Sequence, residues 1–315
     1  MNWLVYHIAS GHAFFSGVAL IIVAALASTR PTPITKRLTV FALLIGAIAI
    51  AISSTAIPYW YYAIAIVVTI AWLISAFLKN WRRWTRRSVI VAWTVAAGIE
   101  LPYHLTPSLV QASSRSMTVI GDSVTAGMGA SDKSVRWPTL LAKDRNLNIQ
   151  DISHPGEAAA SALKRAKSQR IASPVVILEI GGNDLLGDTT SAQFSQDLDA
   201  LLAYVCAPGR QVIMFELPLP PFRNEYGRIQ RSLARKHDVA LVPKRVFLSI
   251  FAANDSTVDT IHLTQAGHHR MAATVWNLVR SAFPRDCRGH KLVTRGARNR
   301  YRTFCVDLEG APLGP

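Results

Sequence analysis

Residues 175–184 read VVILEIGGND, a short apolar run that ends at two glycines followed by an amide and a carboxylate. Four similar short runs occur along the chain, at 117–120, 149–152, 212–215 and 239–242. Between them lie segments such as 192–204 and 265–283, whose apolar residues recur at helical spacing. Strands that alternate with helices predict an α/β domain with a five-stranded parallel sheet covered on both faces.

Polar residues follow several of these predicted strands. Residues 121–127 read GDSVTAG after the first strand, 181–184 read GGND after the third, and 259–264 read DTIHLT before the last helix. Ligands bind beyond the carboxyl ends of parallel strands, so these loops are expected at one edge of the sheet. Each motif alone is most often an ordinary turn or loop. A functional interpretation therefore depends on their common order and placement.

The order of these motifs resembles the SGNH (GDSL) hydrolase superfamily over about residues 116–283. The matching features are Gly-Asp-Ser, an isolated glycine at Gly156, Gly-x-Asn-Asp and Asp-x-x-His. Residues 178–185 and the Trp-Pro pair at 137–138 are most similar to the bacterial thioesterase/lysophospholipase-like branch. That branch usually has Pro-Asn after the histidine, where this chain has Leu-Thr at 263–264. The resemblance implies a three-layer α/β/α flavodoxin-like domain and a serine hydrolase activity on carboxylic esters.

The chemistry of ester hydrolysis explains why these residue types are needed. Because a serine hydroxyl is a weak nucleophile at neutral pH, Ser123 needs a base, and His262 suits that role. Asp259 would hold the imidazole in its useful tautomer. The resemblance assigns the oxyanion hole to the backbone N–H groups of Ser123 and Gly156 and the side-chain amide of Asn183. The reaction is expected to form an acyl-serine intermediate and to need neither a metal nor an organic cofactor.

Other polar residues near these motifs have simpler interpretations. Asp122 is expected to bond within its own turn, and Asp184 to organise its loop. His154 is expected at the mouth of the site, while the histidines at 268–269 are expected to be packing or surface residues. The apolar loop 217–221 either lines an acyl site or serves as a stiff connector.

The first 106 residues have the composition of a membrane segment. Residues 3–28 carry no charged side chain, and about 20 apolar residues suffice to cross a bilayer. Three further apolar runs follow, at 38–57, 59–78 and 88–105. The second and third read as a hairpin that turns at Pro58, and Glu100 interrupts the fourth. We therefore expect a transmembrane anchor of four helices over 1–106, followed by the hydrolase domain over 116–283.

The placement of basic residues predicts the orientation of this anchor. The connections after the first and third runs are basic, with Arg30, Lys36, Arg37, Lys79, Arg82, Arg83, Arg86 and Arg87. The positive-inside rule puts both in the cytoplasm, which predicts a multi-pass protein of the plasma (inner) membrane with a periplasmic catalytic domain. Glu100 is then expected to reach headgroup water. Two alternatives stay open: a signal peptide cleaved near Ala27, and a fourth segment that only lies on the surface, leaving the domain cytoplasmic.

The remaining composition agrees with this division. The formal charge is +15 with 50% hydrophobic residues, which argues against both an ordinary soluble enzyme and a disordered basic chain. The charge is nearly balanced over 117–283, and residues 284–315 form a basic C-terminal extension. An extracytoplasmic location would permit a Cys287–Cys305 disulfide, with Cys206 left as a buried thiol. Flanking spans favour the positive-inside explanation of the basic clusters over nucleic-acid binding, and no nucleic-acid partner is expected.

Together these features predict a membrane-tethered serine esterase. Its expected partners are the lipid bilayer and an acylated substrate, either an O-acetylated glycan or a lipid ester. One alternative is a transacylase that moves the acyl group to an envelope glycan. Another is a non-catalytic glycan-binding subunit with the same fold.

Overall fold

The central sheet has five strands, namely β1 (Ser116–Gly121), β2 (Asn148–Asp151), β3 (Val175–Glu179), β4 (Gln211–Phe215) and β5 (Ala240–Val242). All four pairings are parallel, and the order is β2-β1-β3-β4-β5. This is the flavodoxin-like order, in which the chain reverses direction across the sheet between β1 and β3. The predicted five-stranded parallel sheet is confirmed. The computed structural model describes residues 1–30, 32–75, 82–129, 132–253, 255–259, 261–283, 291–297 and 300–306.

Helices cover both faces of this sheet. They are α6 (Ser123–Ala126), α7 (Trp137–Arg145), α8 (Ala159–Lys167), α9 (Gly182–Leu186), α10 (Ser191–Val205), α11 (Asn224–Lys236), α12 (Lys244–Ala252) and α13 (Gln265–Val279). Alternate strand residues point to opposite faces. Ile177 packs with α7, α12 and α13, whereas its neighbour Leu178 packs with α8, α10 and α11. The result is a three-layer α/β/α domain.

The N-terminal region contains five helices, numbered α1 (Trp3–Ala9), α2 (His12–Ala27), α3 (Pro33–Ile52), α4 (Tyr59–Ser75) and α5 (Arg82–Glu100). The apolar run 3–28, predicted as one span, is instead two helices that meet at 84°. Gly11 lies at the bend with φ +84°, a conformation that side chains with a Cβ rarely adopt. Hydropathy alone does not reveal this break, because the residues on both sides of it are apolar.

The lengths of these helices bear on the predicted anchor. Among the helices within the described ranges, α3 alone is long and apolar enough to span a membrane, and the bent pair α1 and α2 also qualifies if counted together. Helix α4 is apolar but has 17 residues, and the end of its predicted run lies beyond residue 75, outside the described residues. Helix α5 begins with arginines. The structure thus gives one or two candidate spans where the sequence predicts four.

The connection between α3 and α4 contacts the α/β domain. The sequence predicts a very short turn at Pro58, whereas the connection runs from 53 to 58. Its hydroxyl residues Ser53, Ser54 and Thr55 are fully buried. The Ser54 hydroxyl accepts a hydrogen bond from the Leu219 backbone at 3.0 Å, and Asn224 donates to the Ser53 carbonyl at 3.1 Å. The connection is longer than the predicted turn at Pro58, and its polar groups form hydrogen bonds with the α/β domain.

A buried ionic cluster joins α5 to the same domain. The Glu100 carboxylate accepts hydrogen bonds from both terminal nitrogens of Arg231, at 2.6 and 2.8 Å, and Arg231 Nε donates to Glu216 at 2.7 Å. Lys244 lies 3.6 Å from Glu216 and donates to the Ser54 carbonyl. The expectation that Glu100 reaches headgroup water is wrong, since its side chain is fully buried and paired with α11.

The C-terminal extension contains an antiparallel pair of strands, β6 (Lys291–Ala297) and β7 (Arg300–Val306). Cys287 lies outside the described residues, so the disulfide with Cys305 stays a prediction. Cys206 carries a free thiol that is partly exposed rather than buried as expected, because it follows the last turn of α10 at the edge of the domain.

Candidate active site

The turn after β1 presents Ser123 at the start of α6. Asp122 caps this short helix, because its Oδ1 accepts the backbone N–H of Val124 at 2.9 Å. The N–H groups of a first helical turn have no partner within the helix. Accordingly, the Ser123 N–H donates no hydrogen bond within the described residues. A Cβ on Gly121 would lie 2.5 Å from the Thr125 hydroxyl, which explains the glycine before Asp122.

Asn183 lies in α9, directly after β3. Since Gly121 of β1 pairs with Glu179 of β3, the loops after these two strands are neighbours. The Asn183 amide nitrogen donates to Asp122 Oδ2 at 3.2 Å and to the Glu157 carbonyl at 3.0 Å. Asp122 thus bonds within its own turn, as predicted, and also accepts from Asn183, because the strand register brings Asn183 within its reach. Both amide hydrogens of Asn183 already have acceptors.

Gly156 lies in a tight turn after β2. The Glu157 N–H donates to the His154 carbonyl at 3.2 Å, Pro155 is the second residue, and Gly156 is third with φ +73°. These are the features of a type II turn, which favours glycine at its third position. The Gly156 N–H makes no hydrogen bond within the described part of the chain, and nothing lies within 4 Å of the place where its Cβ would be.

His262 and Asp259 form a local pair before α13. His262 Nδ1 lies 2.7 Å from Asp259 Oδ2, and Asp259 Oδ1 accepts the backbone N–H groups of Ile261 and His262 at 2.7 and 2.8 Å. These hydrogen bonds, first that from the His262 ring, hold the pKa of Asp259 well below its usual value. Asp259 is therefore ionised at neutral pH and orients the imidazole.

One cavity of about 350 Å³ brings these loops together. Ser123, Asn183 and His262 all line it, whereas Gly156 does not and contacts the site through Glu157, whose carbonyl binds Asn183. The predicted apolar loop also contributes, with Leu217, Pro218 and Pro220. Of the predicted site residues, the structure thus gathers the serine, asparagine and histidine around one space, with Asp259 behind the histidine.

A buried carboxylic acid lies beneath the turn that carries Ser123. Glu179 Oε2 accepts the Thr125 hydroxyl at 3.0 Å and the Asp122 N–H at 3.3 Å. Burial raises the pKa of Glu179 well above its ordinary value, and the nearby Asp122 carboxylate raises it further. Burial also raises the pKa of Asp122. Two carboxyl groups this close do not both ionise readily, so the charge on Asp122 favours the protonated form of Glu179.

The remaining predicted polar residues have structural surroundings. Asp184 accepts the backbone N–H of Ala159 at 3.0 Å, which ties its loop to the start of α8. His154 is exposed and bonds the Pro155 carbonyl rather than lining the cavity. On α13, His268 is buried and His269 is exposed.

Several lining residues were not predicted from the sequence. Helix α12 supplies the apolar side chains Phe247, Leu248 and Phe251. Leu248 and Phe251 lie one and four residues after Phe247. This helical spacing, in the segment after β5, could have identified them. Met1 also lines the cavity, and no local pattern indicates its contact with a domain that begins more than 100 residues later.

The site offers no obvious metal centre. Within the described ranges, no group of three or more histidine, cysteine, aspartate or glutamate residues is arranged to hold a metal ion.

The chain is similar to several known proteins. Residues 119–270 match the GDSL-like Lipase/Acylhydrolase family. "Esterase TesA" of Pseudomonas aeruginosa is 29% identical over 180 residues, covering 53% of this chain and 88% of the relative. "Thioesterase 1/protease 1/lysophospholipase L1" of Escherichia coli is 30% identical over 145 residues, covering 42% of this chain and 67% of the relative.

Solved structures match the same part of the chain. "Crystal Structure of TesA" has 27% identity and a TM-score of 0.46, covering 53% of this chain and 99% of that one. The SGNH-hydrolase family esterase AlinE4 has 28% identity and a TM-score of 0.41, covering 56% of this chain and 100% of that one. On the sequence matches, the chain belongs to the GDSL-like lipase/acylhydrolase family of SGNH hydrolases and is a serine ester hydrolase.

Proposed function

We propose that this chain is a membrane-tethered esterase in which Ser123 is the nucleophile, His262 the general base and Asp259 the residue that orients His262. Ser123 would attack the ester carbonyl while His262 accepts its proton, and the protonated imidazole would then return that proton to the leaving alcohol. Water, activated by the same histidine, would release the acid from the acyl-serine and restore the hydroxyl.

The observation that carries this proposal is the common cavity of Ser123, Asn183 and His262, with the Asp259 carboxylate 2.7 Å from the imidazole Nδ1. Because Nδ1 is bonded to Asp259, Nε2 is the ring nitrogen that would accept the Ser123 proton. His262 is partly exposed, at 29% for its side chain, so it can exchange protons with solvent between the two half-reactions.

The oxyanion would be held by the Ser123 N–H and the Asn183 amide, which belong to residues that line the cavity, and the family resemblance adds the Gly156 N–H from the turn whose Glu157 carbonyl binds Asn183. The N–H groups of Ser123 and Gly156 are both without acceptors in the described residues, as such donors must be before substrate arrives. Asn183 would exchange its longer bond, the 3.2 Å contact with Asp122, for the oxyanion while keeping the Glu157 carbonyl. Removing one such donor typically costs about 3–4 kcal/mol of transition-state stabilisation.

The substrate is expected to be an ester with an acyl chain that fits an apolar wall. Leu217, Pro220, Phe247 and Phe251 line the cavity beside the serine. Relatives named as an esterase and as a thioesterase and lysophospholipase act on acyl groups, which supports the same class here. The apolar N-terminal helices would hold the domain on the periplasmic face of the inner membrane, where O-acetylated glycans and lipid esters are both within reach.

The catalytic assignment is tested by comparing Ser123→Ala with Ser249→Ala in the purified full-length protein. Ser249 is an exposed serine whose hydroxyl bonds only its own helix. With a p-nitrophenyl short-chain ester, we expect Ser123→Ala to lower kcat by about 10⁴-fold or more and Ser249→Ala to match the parent. Hydrolysis at the parent rate by Ser123→Ala would overturn the assignment.

The tether is tested separately. After alkaline washing of membranes from cells that express the full chain, we expect the protein to stay in the pellet. Protease added to spheroplasts should cut the hydrolase domain. Release of the protein into the wash would contradict the tether. Protection of the domain in intact spheroplasts, with cleavage only after lysis, would contradict the orientation.

A further inference from the structure

A second and larger cavity lies among the N-terminal helices, away from the catalytic residues. We call it the α3–α4 cleft; its volume is about 580 Å³. The helices pack in the order α3, α2, α5, α4, so α3 and α4 face each other across open space. One face of each helix lines it, with Leu43, Leu44, Ala47, Ile50 and Ala51 from α3 and Tyr62, Ile66, Thr69, Ile70 and Leu73 from α4.

The shape and lining of the α3–α4 cleft suit an aliphatic chain. The lining residues of α4 run from Tyr62 to Leu73, which corresponds to about 16 Å along a helix. Ile21 and Trp93 close the back of the cleft. Apart from one threonine, the lining over this length is apolar or aromatic.

The end of the cleft nearest the hydrolase domain is polar and incompletely bonded. Asn224, Tyr59 and Tyr62 line this end. Three buried atoms have no hydrogen-bond partner among the described residues: the Tyr62 hydroxyl and Asn224 Oδ1 of this lining, and Nη2 of Arg228, which lies one helical turn after Asn224 and stacks on Tyr59. Buried polar atoms in folded proteins nearly always have partners, so three without one in a single place indicate that a polar group is missing.

The charge at this end is positive. Arg228 stacks on the ring of Tyr59, with its guanidinium carbon 3.4 Å from the ring centre. It joins none of the ion pairs found among the described residues, whereas neighbouring Arg231 is bound by Glu100 and Glu216. Glu225, on the same helix, is exposed. Arg228 thus has no carboxylate partner among the described residues; its Nη1 donates to the Ile57 carbonyl at 3.4 Å, and its Nη2 is left to bind an anion.

We propose that the α3–α4 cleft binds an anionic phospholipid whose head group carries hydroxyls, with one acyl chain between α3 and α4. The phosphate accepts hydrogen bonds from Arg228 and Tyr62, and a head-group hydroxyl donates to Asn224 Oδ1. This pairing satisfies all three unpartnered atoms and neutralises Arg228. The inference depends on the proposed membrane location but not on the proposed triad.

The position of this lipid relates it to the catalytic domain. The segment between β4 and α11 lines the catalytic cavity at Leu217, Pro218 and Pro220, and α11 then begins at Asn224, which lines the cleft. A bound head group would thus contact the end of the segment whose beginning borders Ser123.

The inference is tested by lipid binding to the full-length protein in detergent, measured by native mass spectrometry with phosphatidylglycerol and phosphatidylcholine. We expect the parent to prefer phosphatidylglycerol. Arg228→Gln should weaken that binding by about 10- to 100-fold, the range for a hydrogen bond to a charged group. Arg235→Gln, which removes the same charge from an exposed position on α11, should leave it unchanged.

A second pair of variants tests the chain-binding part. Ala47→Trp should fill the cleft and weaken binding of both lipids, whereas Ile48→Trp, on the exposed face of α3, should not. Equal affinity of the parent for the two lipids, or parent-like phosphatidylglycerol binding by Arg228→Gln, would overturn the proposal. Because the hydrolysis of a soluble ester reports on Ser123 alone, a failure of the lipid site and a failure of the triad give different results.

Discussion

Two groups of paired carboxylate and basic side chains in this molecule differ in their separation along the sequence and in their exposure. Asp259 and His262 are three residues apart, and their side chains are 53% and 29% exposed. Glu100, Arg231 and Glu216 are joined across 131 residues, and each side chain is at most 5% exposed. The first cluster is formed by one short loop, whereas the second exists only when two regions of the chain come together.

The difference indicates what each cluster contributes. An exposed pair of this kind adds about 0–1 kcal/mol to stability, so the contact between Asp259 and His262 contributes little to holding the fold together. Removing one partner of a buried pair leaves an uncompensated charge, which costs about 3–5 kcal/mol. The exposed pair is therefore available for the catalytic role proposed above, whereas the buried cluster fixes the N-terminal helices against the hydrolase domain.

The largest expected effect is a loss of activity when His262 is replaced. His262→Ala should lower kcat by about 10⁴- to 10⁶-fold, because His262 is the base proposed for Ser123, while the melting temperature changes little. His269→Ala, an exposed histidine on α13, is the matched control and should retain parent activity. Steady-state kinetics with a soluble ester and thermal unfolding measure the two quantities. A large loss of stability in His262→Ala would remove the contrast between the clusters.

The second effect is on stability, from the buried cluster. Glu100→Gln should lower the free energy of unfolding by about 3–5 kcal/mol, because Arg231 then loses a buried partner. Asp199→Asn, which weakens partly exposed contacts with Lys236 and His237, should cost about 1 kcal/mol or less. Denaturant unfolding of the detergent-solubilised protein gives both values. Similar losses in the two variants would show that burial of the Glu100 pair contributes nothing.

A third effect distinguishes positioning from transition-state stabilisation at the catalytic site. Asn183→Ala should lower kcat by about 10²- to 10³-fold and leave KM nearly unchanged, since the oxyanion bond forms only in the transition state. The split between kcat and KM is the measurement. A rise in KM with unchanged kcat would mean that Asn183 binds ground-state substrate instead.

The smallest expected effect concerns the buried acid beneath the turn that carries Ser123. Because the pKa of folded Glu179 lies above its unfolded value, its contribution to stability is complete below about pH 4.3 and is lost as the pH rises through the folded pKa. Glu179→Gln mimics the protonated acid, so the variant does not lose this stability as the pH rises. Relative to the parent, its melting temperature should therefore rise from pH 5 to pH 8, because each pH unit between the unfolded and folded pKa of Glu179 costs the parent about 1.4 kcal/mol. A constant difference across this range would contradict the assignment.

The two regions also differ in how far sequence could predict them. The strands of the sheet and the loops at 121–127 and 181–184 were predictable, because short apolar runs ending at glycine are local signals. The pair Asp259 and His262 was likewise predictable from spacing within one loop. The strand order then follows from the resemblance of these motifs to one family.

The N-terminal contacts were not predictable in the same way. The bend at Gly11 lies between two apolar segments, so hydropathy treats them as one. The burial of Glu100 depends on Arg231, and that of Ser54 depends on Leu219, partners more than 100 residues away. Pairings over such distances leave no periodic pattern in a single sequence.

The most direct test of the central claim is covalent labelling of the full-length protein with a fluorophosphonate, followed by peptide mapping. The probe reports a serine made nucleophilic by a neighbouring base, independently of the natural substrate. We predict a single adduct on Ser123 in the parent, and none in His262→Ala under the same conditions. An adduct on a different serine, or equal labelling of Ser123 with and without His262, would contradict the account.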